Sequence, residues 1–564
     1  MTISQFLQKM EQIKTRNYTP YIWTMLCILA FISSVLIAGY MLRYFINYSD
    51  EPYQILNSMD YKNSPLAPLT AIMDNITNRL FDYQILKLRY VAFCYTMLSI
   101  MLSGWYFAKK TGKTNIALIL CSVLTLLTIR NLNITLIGWD RQTMLFVTIL
   151  VISTLEFFET GKRKFLIICA VASAIASLCR IPSVASLVFI PVLILWKSGD
   201  TFKQKAKDIV LFLTISIAII IGALLLMYGS LSEYFNYIKA NLISAHNNTI
   251  IVYFYILYFY NCLKLCFFYS LFYFATKKIK NKWIYFCSCI IFTGLLILHI
   301  NSKMIEFQYF NGMAWISVII FIELSMLIKF RNNLRSGKGL ATIALIVLST
   351  LPMLASNVGM SKYLSYTAIP IALSIYYTFF NRKIVLLATC LSIIMVICTG
   401  LYLNKYYNYY SSIVTSQTSI IQKGLLKGMY GNPQEISLVE DLYHNYKVFD
   451  TKQNLVVCQN AGKFYFELEF NALDTERRHD WHSVSFNDDN YVSRIKNKIR
   501  QNPNFSVLII YKIYHKQGSP DSKMTKMLNE ELELAVSDER YAIYVPKKHN
   551  DASQNAPIMT DKDY

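Results

Sequence analysis

Apolar residues run in long unbroken stretches through the first four hundred positions, separated by short polar connections, and the pattern changes after Leu403. A membrane-spanning helix needs about 20 largely apolar residues, and shorter runs serve when their polar ends reach the interface. Thirteen such runs can be counted, at 21–45, 88–107, 116–129, 143–158, 165–179, 183–196, 209–228, 251–275, 283–300, 313–328, 340–354, 366–380 and 384–403. The first is too long for a secretory leader and no small-residue cleavage site follows it, so it reads as an uncleaved span. Residues 404–564 alternate and cluster differently. They predict a helix over 433–445, a hairpin over 454–470 turning at Asn460-Ala461-Gly462, and a helix over 492–500. A strand over 505–514, a helix over 521–535 and a strand over 540–545 complete a small α/β domain. The expected architecture is a polytopic α-helical membrane core, 1–403, followed by an extracytoplasmic α/β domain, 404–564.

Charge orients this layout. The chain is 54% hydrophobic and 16% charged, with a formal net charge of +21. The whole excess lies before residue 404: 35 Lys and Arg against 14 Asp and Glu there, and 20 against 20 in the remainder. Basic residues interleaved with apolar runs mark cytoplasmic loops, whereas a nucleic-acid binder carries a basic face on a soluble module, so no nucleic-acid partner is expected. With the N-terminus cytoplasmic, the first 20 residues and the connections at 109–113, 162–164, 197–207, 277–282, 329–338 and 382–383 hold 23 of the 35 basic residues. Every second connection is basic. Thirteen spans then leave the C-terminal domain outside. Eleven of the twelve cysteines lie in the apolar half and only Cys458 in the tail, so the tail forms no internal disulfide. Cys262/Cys266 and Cys287/Cys289 lack the second pair that a structural zinc site requires and read as packing residues.

The first outer loop, 46–87, is the longest connection between spans. It carries Asp50, Glu51, Asp60, Asp74 and Asp82. The positive-inside bias does not call for acids outside, so the cluster asks for another reason. Asp50 and Glu51 follow the first span directly, in Tyr48-Ser49-Asp50-Glu51-Pro52-Tyr53. That spacing suits either a carboxylate fixed at the membrane surface or a helix N-cap ahead of a first-turn proline. Asp74 and Asp82 lie further along on a helical stretch of the loop, where substitution is expected to matter little. Cations also stand near the expected outer ends of the spans: Arg130 and Arg141 around the third outer turn, Arg180 in Leu178-Cys179-Arg180-Ile181-Pro182, Lys303 near His299, and Lys362. Arg180 lies between two apolar runs and either snorkels to the headgroups or faces an aqueous cavity. His299 reads first as a buried hydrogen-bonded histidine.

The Asp50-Glu51 pair at the outer end of the first span, a loop with helical pieces, and the downstream Lys62-Asn63-Ser64-Pro65-Leu66-Ala67-Pro68-Leu69 segment resemble the GT-C superfamily of polytopic glycosyltransferases. The lipid A aminoarabinose transferases and the protein O-mannosyltransferases are the branches they are most similar to. The resemblance implies transfer of a sugar from a polyprenyl phosphate or pyrophosphate to a glycan, lipid or protein acceptor, in the plasma membrane and, in bacteria, the inner one. It implies Asp50 and Glu51 as catalytic residues, Arg180, Lys303, Lys362, Arg141 and Arg130 as candidate cations for the donor phosphate, and Asp60 and Lys62 as acceptor or loop support. It fixes no cofactor, and Glu51 could help hold a divalent cation. Two other classes share the layout: a transporter or flippase for lipid-linked saccharides, and an outer-face polymerase or ligase. A transporter would show corresponding halves and charged or broken spans near the midplane, and a polymerase a long outer loop late in the chain.

Overall fold

The computed structural model describes residues 19–44, 64–130, 139–245, 248–301, 307–351, 418–422, 426–431, 454–457, 489–502, 506–510, 521–538 and 540–547, with isolated positions between them. The chain divides into two compact units: a helical one of Met1–Asn47, Gln54–Gln417 and Gly428–Tyr430, and a smaller one of Tyr48–Tyr53, Thr418–Lys427 and Gly431–Tyr564.

The helical unit is a polytopic membrane bundle. Its described helices are α1 (Thr19–Met41), α2 (Pro68–Leu80), α3 (Ile85–Thr111), α4 (Thr114–Arg130), α5 (Trp139–Thr160), α6 (Arg163–Cys179) and, after a 3₁₀ turn at Ile181–Ala185, α7 (Ser186–Trp196). There follow α8 (Phe202–Tyr228), α9 (Leu231–Ala245), α10 (Asn248–Thr276), α11 (Lys282–Asn301), α12 (Phe307–Phe330) and α13 (Gly337–Thr350). The first eleven apolar runs of the sequence each fall on one of these helices; the last two, 366–380 and 384–403, lie outside the described residues. Among the described residues, Tyr21–Met41, Ile85–Thr111, Arg141–Thr160 and Phe202–Tyr228 are long and apolar enough to cross a membrane. α1 leaves Ile22, Met25, Leu29, Leu36 and Ile37 exposed, the pattern of a helix that spends its apolar surface on lipid. Where helices meet, small residues let them approach: a Cβ at Gly104 of α3 would fall 2.2 Å from Cys121 Sγ of α4, and one at Gly337 2.4 Å from the Phe158 carbonyl oxygen.

Four of the basic connections meet at one end of the bundle. Lys110 Nζ lies 2.7 Å from Glu156 Oε1 and 2.8 Å from Glu159 Oε2, and Arg163 Nε 3.1 Å from Asp208 Oδ1. Ser198 donates its N–H to the Arg335 carbonyl at 3.2 Å. Four of the alternating basic loops, at 109–113, 162–164, 197–207 and 329–338, are thus joined to one another, as an alternation of loop charge requires. One element was not visible in the hydropathy: α9, between the seventh and eighth runs, is amphipathic. Leu231, Tyr234, Tyr237 and Ile238 pack on Leu224 and Tyr228 of α8, and Glu233 and Phe235 sit on its outer side.

In the smaller unit β1 (Asn454–Val457), β2 (Ser506–Ile510), β3 (Leu532–Ser537) and β4 (Tyr541–Pro546) form one sheet in the order β1-β2-β4-β3. β1 pairs with β2 in parallel, and β2 with β4 and β4 with β3 run antiparallel. Helices α14 (Asp489–Gln501) and α15 (Lys523–Glu531) bury Ile495, Ile499, Met524, Met527 and Leu528 with Val507, Ile509 and Tyr544 of the sheet. The expected helix over 521–535 stops at Glu531, because from Leu532 the chain is extended and pairs with β4, a tertiary gain that outweighs the helix preference of Leu, Glu and Ala. The turn expected at 460–462 lies outside the described residues.

Glu531 closes α15 under a two-pronged grip from α14: Arg500 Nη2 at 2.6 Å, Arg500 Nε at 3.0 Å and Lys496 Nζ at 3.1 Å. The guanidinium holds the Glu531 carboxyl down to about 2. A carboxyl so depressed stabilises the fold above its ordinary value of 4.5 and loses that contribution as pH falls toward 2. Glu531→Gln should lower the unfolding free energy of this unit by about 0.5–1 kcal/mol at pH 7 and by progressively less below pH 4, read by urea titration of intrinsic fluorescence.

Candidate functional site

At the end of the bundle opposite the joined basic connections, the first loop, 46–87, folds back onto the spans through its described residues. Pro68 starts α2 at a position where its missing N–H costs nothing. The helix buries Thr70, Ala71, Asp74 and Asn78, a stripe at spacings of three and four, and leaves Ile76 and Leu80 exposed. Its polar side therefore faces protein and its apolar side faces out, the orientation of a helix lying in a membrane interface. Between Ile72, Asn75 and Ile76 of α2 and Ala223, Leu226 and Met227 of α8 runs an open apolar groove of about 360 Å³. The helix ends at Phe81, and Asp82 and Tyr83, both at positive φ (52° and 56°), turn the chain into α3.

Three bonds key the loop to the ends of α5 and α6. Ile181 N–H donates to the Leu66 carbonyl at 3.1 Å and Thr70 Oγ1 to the Cys179 carbonyl at 3.3 Å. Gln142 Nε2 donates to Asp74 Oδ1 at 2.7 Å. A second layer ties the loop to itself: Asn75 Nδ2 reaches the Ser58 carbonyl at 2.6 Å and Asn78 Nδ2 the Ser58 hydroxyl at 2.7 Å. Asp74 is only 6% exposed, and burial pushes its carboxyl up to about 7 while the Gln142 bond pulls the other way. Asp74 lies on a helical stretch of the loop, as expected, and on the inward face of α2, against α5.

The root of the loop is fixed by an arginine. Arg89, one turn into α3 and fully buried, donates through Nη1 to the carbonyls of Leu42 at 2.8 Å and Tyr44 at 2.7 Å. These are carbonyls left over at the C-terminal end of α1, where a cation also meets the negative end of the helix dipole. Tyr44 stacks flat on Tyr430, with ring centroids 4.6 Å apart and planes 6° from parallel, and Tyr430 N–H donates to the Arg43 carbonyl at 2.8 Å. Asp50 and Glu51 follow Tyr44 by six and seven residues.

Of the residues singled out from the sequence, the structure places Arg141, Arg180 and Lys62. Arg141 stands in the first turn of α5 beside Gln142 and is 1% exposed. Arg180 caps α6 in extended conformation (φ −158°, ψ 116°), half-buried, directly before the Ile181 that bonds Leu66. Both arginines therefore adjoin the residues that hold the loop. Lys62 forms an ion pair with Glu233 of α9 at 3.4 Å, both partly exposed, which bridges the loop to the amphipathic helix. Arg130 ends α4, its side chain outside the description, and Asp50, Glu51, Asp60, Lys303 and Lys362 lie outside the described residues. Sequence reasoning missed Arg89, Gln142 and Asn78. Arg89 carried a signal, a lone cation just inside an apolar run; Gln142 and Asn78 carried none.

No family model matches the chain, and no curated protein does. Similar solved structures include the Archaeoglobus fulgidus oligosaccharyltransferase in complex with Zn and sulfate, at 10% identity, 86% of this chain and 68% of that one, with a TM-score of 0.46. ArnT from Cupriavidus metallidurans bound to undecaprenyl phosphate aligns at 10% identity over 96% of this chain and 100% of that one, with a TM-score of 0.42. The same protein in the apo state gives 11%, 92%, 97% and 0.43. These are membrane glycosyltransferases of the group that the Asp50-Glu51 resemblance names. With identities near a tenth and TM-scores under 0.5, the functional reading rests on this chain's own residues.

Arg89→Met fills the same space without the donor. It should cost about 2–4 kcal/mol by stranding two buried carbonyls and should speed proteolysis within residues 46–64, measured by thermal melting and cleavage mapping in detergent.

Proposed function

We propose that the protein transfers a sugar from a polyprenyl phosphate or pyrophosphate donor to an acceptor at the outer face of the plasma membrane. The observation that carries this reading is the keying of the first loop, which bears Asp50 and Glu51, to the span ends that bear Arg141 and Arg180. A transfer of this kind needs a base and a set of cations within reach of one another. The acceptor hydroxyl is a weak nucleophile, and Asp50 takes its proton as the oxygen attacks the anomeric carbon. The bond from that carbon to the lipid phosphate breaks, and the departing anion calls for cations rather than a protonating acid. Arg180 is the first of these, because a guanidinium matches phosphate oxygens in a two-pronged geometry. Arg141, Arg130, Lys303 and Lys362 supply the remaining positive field. Lys62, through its pair with Glu233, supports the loop. Asp60 belongs to the same loop and serves the acceptor side.

Glu51 orients Asp50 or, with it, offers hard oxygen ligands to a divalent cation. Among the described residues no three His, Cys, Asp or Glu side chains gather to hold an ion. The acceptor is a glycan, a lipid or a protein. In this reading the N-terminus is cytoplasmic and residues 404–564 face outward, since the joined basic loops mark the cytoplasmic end.

Two experiments test it. Purified protein supplied with mass-tagged polyprenyl-linked sugar and candidate acceptors should give tagged product, and Asp50→Asn should lower the rate about 10²- to 10⁴-fold with donor binding retained. Full activity in Asp50→Asn removes the base. For the topology, a membrane-impermeant thiol reagent added outside intact cells should label Asp480→Cys and miss Lys203→Cys; the opposite pattern inverts the protein and its active face.

A further inference from the structure

Asp74 is the ionisable residue on the buried face of α2, and the transfer chemistry above does not use it. The groups that face it are few. α5 presents Gln142, which Arg141 precedes in sequence, α3 presents Tyr95, and α6 presents Cys179 with Arg180 just beyond; Arg79 on its own helix points to solvent. Among the described residues Asp74 has no ion pair, and its hydrogen bond is the one from Gln142. A carboxylate 6% exposed without a cation is a costly state, and loss of the charge is the usual escape.

The second observation comes from the partner. Gln142 is 4% exposed, and its Oε1 is buried with no hydrogen-bond partner among the described residues. A carboxylic acid and a primary amide pair in two directions: amide N–H to the acid's carbonyl oxygen, and acid O–H to the amide oxygen. The first bond is present at 2.7 Å. The unpartnered Oε1 is the acceptor that the second requires, and a protonated Asp74, already bonded to the same amide, carries a donor for it.

We propose that Asp74 carries a proton and, paired with Gln142, forms a proton-dependent latch that fastens the first-loop helix to the start of α5. Its consequence for transfer rests on the catalytic reading of that loop; the latch itself does not. The side chain's ordinary value is 3.8, and in the docked helix it is about 7. The docked state therefore holds one more proton than the undocked state between these values. Docking is strongest below about pH 4, weakens as pH rises through 7 by up to about tenfold per unit, and levels off above. The loop is gripped more firmly as the medium on its side of the membrane acidifies, which makes Asp74 a positioning residue.

The test is hydrogen exchange of the full-length protein in lipid nanodiscs, followed at the amides of residues 71–80 and corrected for the intrinsic pH dependence of exchange. Protection of the wild type should fall by up to about 100-fold from pH 5 to pH 7, and that of Asp74→Asn, which cannot ionise, should stay level. Equal pH profiles for the two proteins overturn the latch. Should Asp74→Asn fail to accumulate, Gln142→Leu takes its place. It removes the partner and should bring protection at pH 5 down to the wild-type level at pH 7, and unchanged protection there overturns the proposal. Sugar transfer measured on the same samples separates the two ideas. Protection that follows pH without any transfer keeps the latch and removes the catalytic reading, whereas transfer with pH-independent protection does the reverse.

Discussion

A helix that ends near the edge of a bilayer leaves its last carbonyls without intrahelical donors, and where water is scarce another part of the protein must meet them. In this molecule Arg89 meets those at the end of α1, and the geometry of that end of the bundle follows from it. Because the arginine sits one turn into α3, the two ends of the first loop are held side by side. The loop between them then has a fixed root. Its middle is fixed in turn by α2, which offers Thr70, Asp74 and Asn78 to the protein and Ile76 and Leu80 to the surroundings. Such a helix would be inside out in a soluble protein. At a membrane surface it is the arrangement that satisfies both sides at once.

The same economy explains how the arginines are carried. An isolated charge between apolar runs is expensive, yet Arg89 and Arg141 are fully buried, and Arg180 is half-buried at a helix cap. All three belong to the ends of α3, α5 and α6 where the loop docks. The opposite end uses ion pairs, Lys110 with Glu156 and Glu159 and Arg163 with Asp208. At the loop end, the described residues combine side-chain bonds to backbone carbonyls with the Gln142–Asp74 bond and the Lys62–Glu233 ion pair.

The spans were legible because burial in lipid demands long apolar runs, and eleven of them coincide with described helices. α9 was not, since an amphipathic interfacial helix satisfies neither the length nor the hydropathy of a span. The burial of Asp74 was not legible for a related reason: reading by period assigns charged residues to the solvated face, and α2 turns this one inward. Arg89 fell within a run and was counted as part of it. Arg180 was found because proline and cysteine frame it at a break between runs, and its place at the α6 cap follows from that break. In the tail the helix over 489–501 and the strands at 506–510 and 541–546 followed their periodicity, but the boundary at Glu531 was set by pairing with β4, which no local pattern encodes. The proposed catalytic pair, Asp50 and Glu51, came from a motif and an order of elements, and lies outside the described residues.

The stack of Tyr430 on Tyr44 has a consequence for how the protein is made. These rings belong to segments nearly four hundred residues apart, and the Tyr430 N–H closes on the Arg43 carbonyl. A chain emerging from its N-terminus inserts the first span long before this partner exists. The C-terminal end of α1 is therefore provisional throughout the synthesis of the spans between, and it acquires this neighbour only when the polar connector arrives. The contact sits at the root of the loop that bears Asp50 and Glu51, so completion of that root follows the threading of the helices between.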